Sequence, residues 1–337
     1  MSSQTALILT EIGKPQSYML VAPLDQKFRD NGHLGIGSRL PAVISGEIVG
    51  EVIKGGPSNK FSPGTHVVSQ ALFNLPQGGG LQEYTILNGE YAAAVPDGIP
   101  DIEAALYPIN IVTAAMSIFS SAGFGFPLPE TDEAVEFDYA AQHVVIIGGG
   151  TNTGKLAVQL CNLAGIGTIV VIAGPANGDL LKKLGATHFI ARQDTDVEEQ
   201  VRGIVGDDLQ YVYDTFTFGD LSLGASLLSN SKKGIFAHNG IGQIPDTVLA
   251  MKQEGLEDKR ILGFSHFIPS FGKSLWEKIP GWLARGQIKP LEYKIIEGLN
   301  VEKVNYALDE YAAGRSGERY IPVQKNCPDP LFGRSPQ

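Results

Sequence analysis

Cysteine is almost absent. The 337-residue chain has two, Cys161 and Cys327, too few for a disulfide framework or a cysteine-rich zinc site. A dense basic run is also missing. Twenty-six Lys and Arg face 36 Asp and Glu, for a net charge of −10, so the electrostatic footprint of a nucleic-acid binder is lacking. The acidity mainly supports solubility. No apolar stretch is long enough to span a membrane, and the apolar segment within MSSQTALILTEIGK is too short for a signal peptide. A soluble, cytoplasmic protein is therefore expected, with no internal repeat. Apolar residues are plentiful, at 43% against 18% charged, which suits sizeable cores and argues against disorder. The length fits two ordinary domains or one large one.

The most informative stretch is HVVIIGGGTNTGKLAVQLCNLAGIGTIVVIAGPAN, residues 143–177. Val144 to Ile147 is an apolar run too compact for a helix. Gly148 to Gly154 is a Gly-rich turn. Leu156, Leu160 and Ala164 then fall at helical spacing, with Cys161 a small core residue among them, and Ile169 to Ile172 is a β-branched run. Strand, turn, helix and strand within about thirty residues form the dinucleotide-binding βαβ pattern. Its glycines admit a pyrophosphate to the backbone, and the helix N-terminus offers unpaired N–H groups and a positive dipole end. With Gly149 first and Gly154 last, the middle glycine of G-x-G-x-x-G is replaced by Thr151. Gly-rich βα turns also occur in α/β proteins that bind no nucleotide.

Residues 6–9 look like a first strand, and the stretch after them has little pattern. From Pro41 to Val68, apolar runs alternate with Gly and Pro, as in small antiparallel β structure. LQEYTIL (81–87) and YAAAVP (91–96) read as further β structure. DIEAALYPINIVTAAMSIFSSAG reads as helix interrupted at Pro108, and a proline-containing loop runs from Phe126 to Asp138. After Asn177, helical LLKKLGA, DVEEQVRGIVG and DLSLGASLLS alternate with strands HFIA, YVYDTF and GIFAHNG, which implies a parallel, doubly wound sheet. KRILGFS is an apolar run of uncertain partner. WEKIPGWLARGQI and VEKVNYALDEYAAG are helical, with β-like pieces between and after them, and the proline-containing tail 325–337 reads as loose.

Several short matches then accumulate in order. Leu24-Asp25-Gln26-Lys27 is the first, and Pro41 through Gly46-Glu47 to Gly50-Glu51-Val52, a Pro, Gly-Glu, Gly-x-Val segment, is the second. Phe61-Ser62-Pro63-Gly64-Thr65-His66-Val67, Gly80-Leu81-Gln82-Glu83-Tyr84, Val95-Pro96-Asp97-Gly98 and Leu184-Gly185-Ala186 follow. The chain resembles the medium-chain dehydrogenase/reductase superfamily, in its zinc-free quinone-oxidoreductase-like and trans-enoyl-reductase-like branch, with a fungal texture. The resemblance implies an α/β protein in which a GroES-like β domain (1–110 and 267–324) accompanies a Rossmann domain (111–266). Relatives carry a longer stretch ahead of the Leu-Asp-Gln-Lys segment, supplying further strands. Here either the domain is trimmed, or the sequence reflects a lost exon or a misannotated splice.

Zinc-dependent relatives place Cys and His where this chain has Ala22 and Gly46, so a zinc site cannot be built, and His66 reads as a surface or packing residue. NAD-preferring sites carry an acid at the end of the second strand, about twenty residues past the turn. Here Ile172-Ala173-Gly174-Pro175 has none, which permits a 2′-phosphate. Asn177 occupies the position of a phosphate-binding Lys in relatives, and Arg192 that of a Tyr. Arg pairs bidentately with phosphate, though a solvated loop charge is the alternative. NADPH is the expected cofactor, with Gly149, Gly150, Thr151, Asn152, Thr153, Gly154, Gly174, Asn177 and Arg192 at its site. Thr151, Asn152 and Thr153 could offer side-chain groups to the pyrophosphate, or cap the helix.

The resemblance places Asp25, Asn110, Thr113 and His238 about the substrate and nicotinamide pocket. Thr113 could equally bond back to its own helix, and no catalytic side chain is assigned. The expected activity is NADPH-dependent reduction of an α,β-unsaturated carbonyl, enoyl or quinone small molecule by hydride transfer, in secondary metabolism. A non-catalytic NADPH-binding protein, disabled by a shortened N-terminal domain, is the alternative. The resemblance further implies a homodimer through the Rossmann edge strand, and a polyketide synthase partner as in trans-acting enoyl reductases.

Overall fold

Gly and Pro every few residues keep the first strands short. The computed structural model describes residues 8–9, 23–56, 60–72, 78–82, 84–297, 301–314 and 319–323. The chain divides into two units, one of residues 1–109, 268–285 and 290–337, the other of residues 110–267 and 286–289. The tail 325–337, Cys327, Ala22 and Glu83 lie outside the described residues, as does most of the stretch before Leu24.

The first unit begins with β1 (Ile8–Leu9), α1 (Pro23–Asn31), β2 (Ala42–Val43), β3 (Glu47–Glu51), β4 (His66–Gln70), β5 (Ala92–Ala94) and α2 (Asp101–Ala104). β1 pairs antiparallel with β2, and β3, β4 and β5 form an antiparallel three-stranded sheet. Helix α1 falls in a segment whose sequence shows no clear periodicity. Its acid Asp25 lies in the first turn and its base Arg29 in the last, as the helix dipole favours, and Phe28 buries completely. The described residues of the 81–87 segment form no strand. Only Gln82 makes an isolated bridge, and Tyr84 and Ile86 are exposed. Gly80 and Leu81 instead donate backbone bonds to Ser45 and Ile44, so this apolar alternation ties down a loop.

The second unit contains α3 (Pro108–Phe119), where Pro108 starts a helix rather than merely interrupting one. It continues through α4 (Asp132–Val135), β6 (His143–Ile147), α5 (Asn152–Ala164), β7 (Thr168–Ala173), α6 (Gly178–Lys183), β8 (His188–Ala191), α7 (Val197–Val205) and β9 (Tyr211–Asp214). β10 (Gly219–Asp220), α8 (Ser222–Leu227), β11 (Gly234–His238), β12 (Gly242–Gln243), α9 (Asp246–Leu249) and β13 (Leu256–Arg260) complete it. Helix α4 puts one helical turn into the expected 126–138 loop. The strand near KRILGFS lies earlier than its apolar residues, because β13 takes the polar LEDKR as an edge of the sheet. The chain then supplies α10 (Pro269–Ala284), β14 (Tyr293–Glu297), α11 (Val301–Ala312) and β15 (Arg319–Val323) to the first unit. There Val304, Ala307 and Leu308 of α11 join Phe28, Ile36, Ile44 and Leu81 in one core, and Arg29 reaches Asp309 at 2.8 Å.

Six strands of the second unit form a sheet in the order β13-β11-β9-β6-β7-β8, all pairs parallel. This is the doubly wound Rossmann order, and the direction of winding reverses between β6 and β9. Both faces of β6 and β7 are buried, as helices on both sides require. The α/β expectation is borne out.

One buried cation ties the far side of this unit. Lys252 Nζ donates to Ser226 O (3.0 Å), Leu228 O (2.6 Å) and Asn230 Oδ1 (2.9 Å). Burial pushes its pKa down from 10.5 to about 8, assisted by Arg202 and opposed by Glu198 and Asp207. Between these two values the unfolded chain holds more protons, so this group's contribution to stability rises with pH across that window. Wild type should therefore gain on the order of 1 kcal/mol over Lys252→Met between about pH 7.5 and pH 9.5, read by urea denaturation. Parallel pH profiles for the two proteins would exclude the effect.

Candidate functional site

The glycine turn follows β6 at the point where the sheet reverses, beside the carboxyl end of β9. Gly148 adopts φ +76°, and a Cβ there would lie 2.6 Å from Thr215 Oγ1 and 2.8 Å from Phe216 Cβ. A Cβ on Gly149 would meet Val171 Cγ1 of β7 at 2.1 Å, and one on Gly154 would meet the Gly148 carbonyl oxygen at 2.4 Å. The glycines thus serve a tight turn and close packing of helix on strand. Sequence reading starts the fingerprint at Gly149, yet the residue in the left-handed conformation is Gly148.

Thr151 is the N-cap of α5. Its Oγ1 accepts from the Gly154 N–H at 2.9 Å and lies 2.9 Å from Thr215 Oγ1. Thr153 Oγ1 donates to Asn110 Oδ1 at 3.0 Å, which joins the first turns of α5 and α3. The Thr153 hydroxyl is therefore directed inward rather than held ready for a pyrophosphate, a correction to the sequence expectation. The backbone supplies the donors instead. The amides of Gly148 and Gly149 reach Ile172 O, and that of Thr151 reaches Gly148 O. The amides of Gly150, Asn152 and Thr153 have no such partner. Three open N–H groups at the start of a 13-residue helix form an anion cradle. The Asn152 amide oxygen is buried there without a hydrogen-bond partner.

The end of β7 lies alongside. Asn177 leans over the turn, so that a Cβ on Gly150 would stand 2.9 Å from its Nδ2, and the same Nδ2 donates to Gly174 O at 3.4 Å. The Arg192 backbone N–H donates to Ala173 O at 2.8 Å. Its side chain is exposed and makes no ion pair or hydrogen bond among the described residues. Gly149, Gly150, Thr151, Asn152, Gly154, Gly174, Asn177 and Arg192 therefore all gather at the carboxyl ends of β6, β7 and β8.

The expected pocket residues are placed differently. Thr113 is buried on α3 against Gly263, where a Cβ would stand 1.9 Å from Thr113 Oγ1. That contact gives the KRILGFS run its partner. His238 is 3% exposed, with Nε2 2.8 Å from Asp258 Oδ1 and Nδ1 3.1 Å from Gly240 O, and it stacks on Phe236. Both ring nitrogens are thus engaged by structural partners. Asp25 is fully buried on α1 of the first unit. In that unit His66 pairs with Asp101 at 2.6 Å, a packing role. Among the described residues, no group of three or more His, Cys, Asp or Glu side chains could hold a metal ion.

Residues 153–277 match the family described as zinc-binding dehydrogenase. A trans-enoyl reductase of Aspergillus japonicus is 26% identical over 321 residues, covering 90% of this chain and 87% of that protein. The CurK enoyl reductase structure superposes with a TM-score of 0.72 at 18% identity, covering 96% of this chain and 100% of that one. The chain is thus similar in sequence and in fold to these dehydrogenases and reductases. A mycobacterial structure in complex with NADPH has the same fold, with a TM-score of 0.72 at 19% identity over 95% of this chain and 100% of that one. A dehydrogenase of Emericella nidulans is 24% identical over 334 residues, 92% of this chain and 91% of that protein.

Sequence reading misses Thr215, because nothing local marks a residue 64 positions from its partner Thr151. The turn's packing is directly testable. Gly154→Ala should lower stability by about 2 kcal/mol, since its Cβ meets backbone that cannot yield. A thermal melt shows this as a loss of several degrees, and an unchanged melting temperature would contradict the geometry.

Proposed function

We propose that this chain is an NADPH-dependent oxidoreductase that reduces an α,β-unsaturated carbonyl, enoyl or quinone substrate without zinc. The observation that carries the reading is the convergence of three open amides, an acid-free strand end and an unpaired arginine around one turn. The amides of Gly150, Asn152 and Thr153 would hold the pyrophosphate. Gly174, at the end of β7, presents no carboxylate to repel a 2′-phosphate, and Asn177 and Arg192 would receive that phosphate. Bound NADPH would supply the hydride.

The chain's own contribution is placement. Thr153 and Asn110 fix α5 against α3, and Thr113 closes on Gly263. The Gly46 position, where zinc-dependent relatives carry His, removes a metal ligand. Proton return would come from water or an acid not yet assigned. That suits a reaction in which positioning and stabilisation of developing charge supply most of the rate. The enoyl-reductase names of the relatives support the substrate class and a place in fungal secondary metabolism. Assembly as a homodimer and docking to a polyketide synthase rest on the resemblance alone.

Arg192→Ala should weaken NADPH binding about tenfold or more in a fluorescence titration, while leaving NADH affinity unchanged. Turnover is read as loss of nicotinamide absorbance against a panel of enones, quinones and aldehydes. Equal efficiency with NADH, or unchanged NADPH affinity in Arg192→Ala, would overturn the cofactor preference. Binding without turnover on any panel member would favour a non-catalytic NADPH-binding protein.

A further inference from the structure

Thr215 follows the last residue of β9 and is held by three separate devices. The Asp214 carboxylate, itself almost fully buried, accepts from the N–H groups of Phe216 and Thr217 at 2.9 Å each, which curls the chain around Thr215. The Thr215 N–H donates to Ile147 O of β6 at 3.0 Å. Its hydroxyl lies 3.0 Å from Ile147 O, 2.9 Å from Gly148 O and 2.9 Å from Thr151 Oγ1.

A hydroxyl carries one hydrogen, and carbonyl oxygens only accept. The Thr215 hydrogen must therefore point at the carbonyls of residues 147 and 148. The Thr151 contact must then use the Thr151 hydrogen, with Thr215 Oγ1 accepting. Thr151 in turn keeps its lone pairs for the Gly154 N–H. The result is a directed chain: Gly154 N–H to Thr151, Thr151 to Thr215, Thr215 to the turn carbonyls. It also leaves Thr151 no hydroxyl hydrogen for a phosphate.

We propose that Thr215 is a positioning residue that sets the conformation of the glycine turn and, through it, cofactor affinity. The second half rests on the reading that this turn holds a nicotinamide dinucleotide. The polarity of the chain matters. With the Thr151 hydrogen fixed on Thr215, the Thr151 oxygen is aimed at the Gly154 N–H, and the neighbouring amides of Asn152 and Thr153 are left pointing outward. Without the Thr215 hydroxyl, the Thr151 side chain loses its acceptor and the cap its fixed orientation.

The test compares Thr215→Ala with Thr215→Ser, which differ by the hydroxyl alone, and uses two readouts. Hydrogen exchange of the cofactor-free protein reports the turn, in a peptide spanning residues 148–155. Fluorescence titration with NADPH reports affinity. Thr215→Ala should speed exchange in that peptide and raise the NADPH Kd, each by about three- to tenfold, the effect of one net hydrogen bond. Thr215→Ser should restore both, and exchange in β6 and β9 should not change. If Thr215→Ala does not fold, Thr215→Cys, a weak donor and acceptor of similar size to serine, takes its place. Alanine and serine variants alike in both readouts would overturn the proposal. Faster exchange with unchanged affinity would overturn its second half. A wild-type protein that binds no NADPH, but whose turn still loosens in Thr215→Ala, would overturn the cofactor reading and leave the turn's dependence on Thr215 standing.

Discussion

The approach of the glycine turn to the carboxyl end of β9 constrains everything around it. β6 and β9 are neighbours in the sheet although 63 residues of chain and two other strands separate Ile147 from Tyr211. Because winding reverses between them, no helix crosses the space above their ends. The turn settles into that space with contacts too close for side chains. Gly148 has no room for a Cβ against Thr215, Gly149 none against Val171, and Gly154 none against the turn's own carbonyl. Bringing α5 so near β6 is what leaves its first amides facing outward instead of into a connecting loop.

From this packing follows a division of labour between side chain and backbone. Threonines at residues 151, 153 and 215 are polar, but their hydrogen bonds run inward, to each other, to Asn110 and to backbone. They fix the turn. The donors left open are peptide N–H groups, which cannot rotate away and would lose little freedom if an anion bound. A turn of this kind tolerates Thr151 in place of a glycine because that residue points its side chain along the cap of α5.

Local pattern made the second unit readable. The apolar runs of β6, β7, β9 and β11 are buried on both faces, so hydrophobicity alone marks them, and the Gly-rich turn and the helix phase of α5 lie within one short window. The first unit was harder to read. Its helix α1 is short and is stabilised by Phe28 in a core shared with α11, and by the Arg29 to Asp309 pair, across a separation that no window spans. The 81–87 segment shows the opposite failure. It has strand-like residues but no neighbour to pair with beyond one bridge, and β propensity reflects available partners more than intrinsic preference. Thr215 and Gly263 were invisible for the same reason, since each matters only through a residue distant in sequence.

On the proposed reading, charge selection at the edge of the site would work by omission as much as by attraction. Two cations elsewhere in the second unit are engaged by protein acceptors: Lys252 by three, and Arg202 by Glu198, Asp207 and Ser226 O. Arg192 is anchored only through its backbone, at the corner where β7 ends without an acid. A guanidinium kept out of internal ion pairs retains its full capacity for a bidentate partner. A carboxylate at Gly174 would cancel that advantage twice, by pairing with Arg192 and by repelling a phosphate. On the proposed reading, the missing acid and the unpaired base are therefore one device, and neither would select NADPH alone.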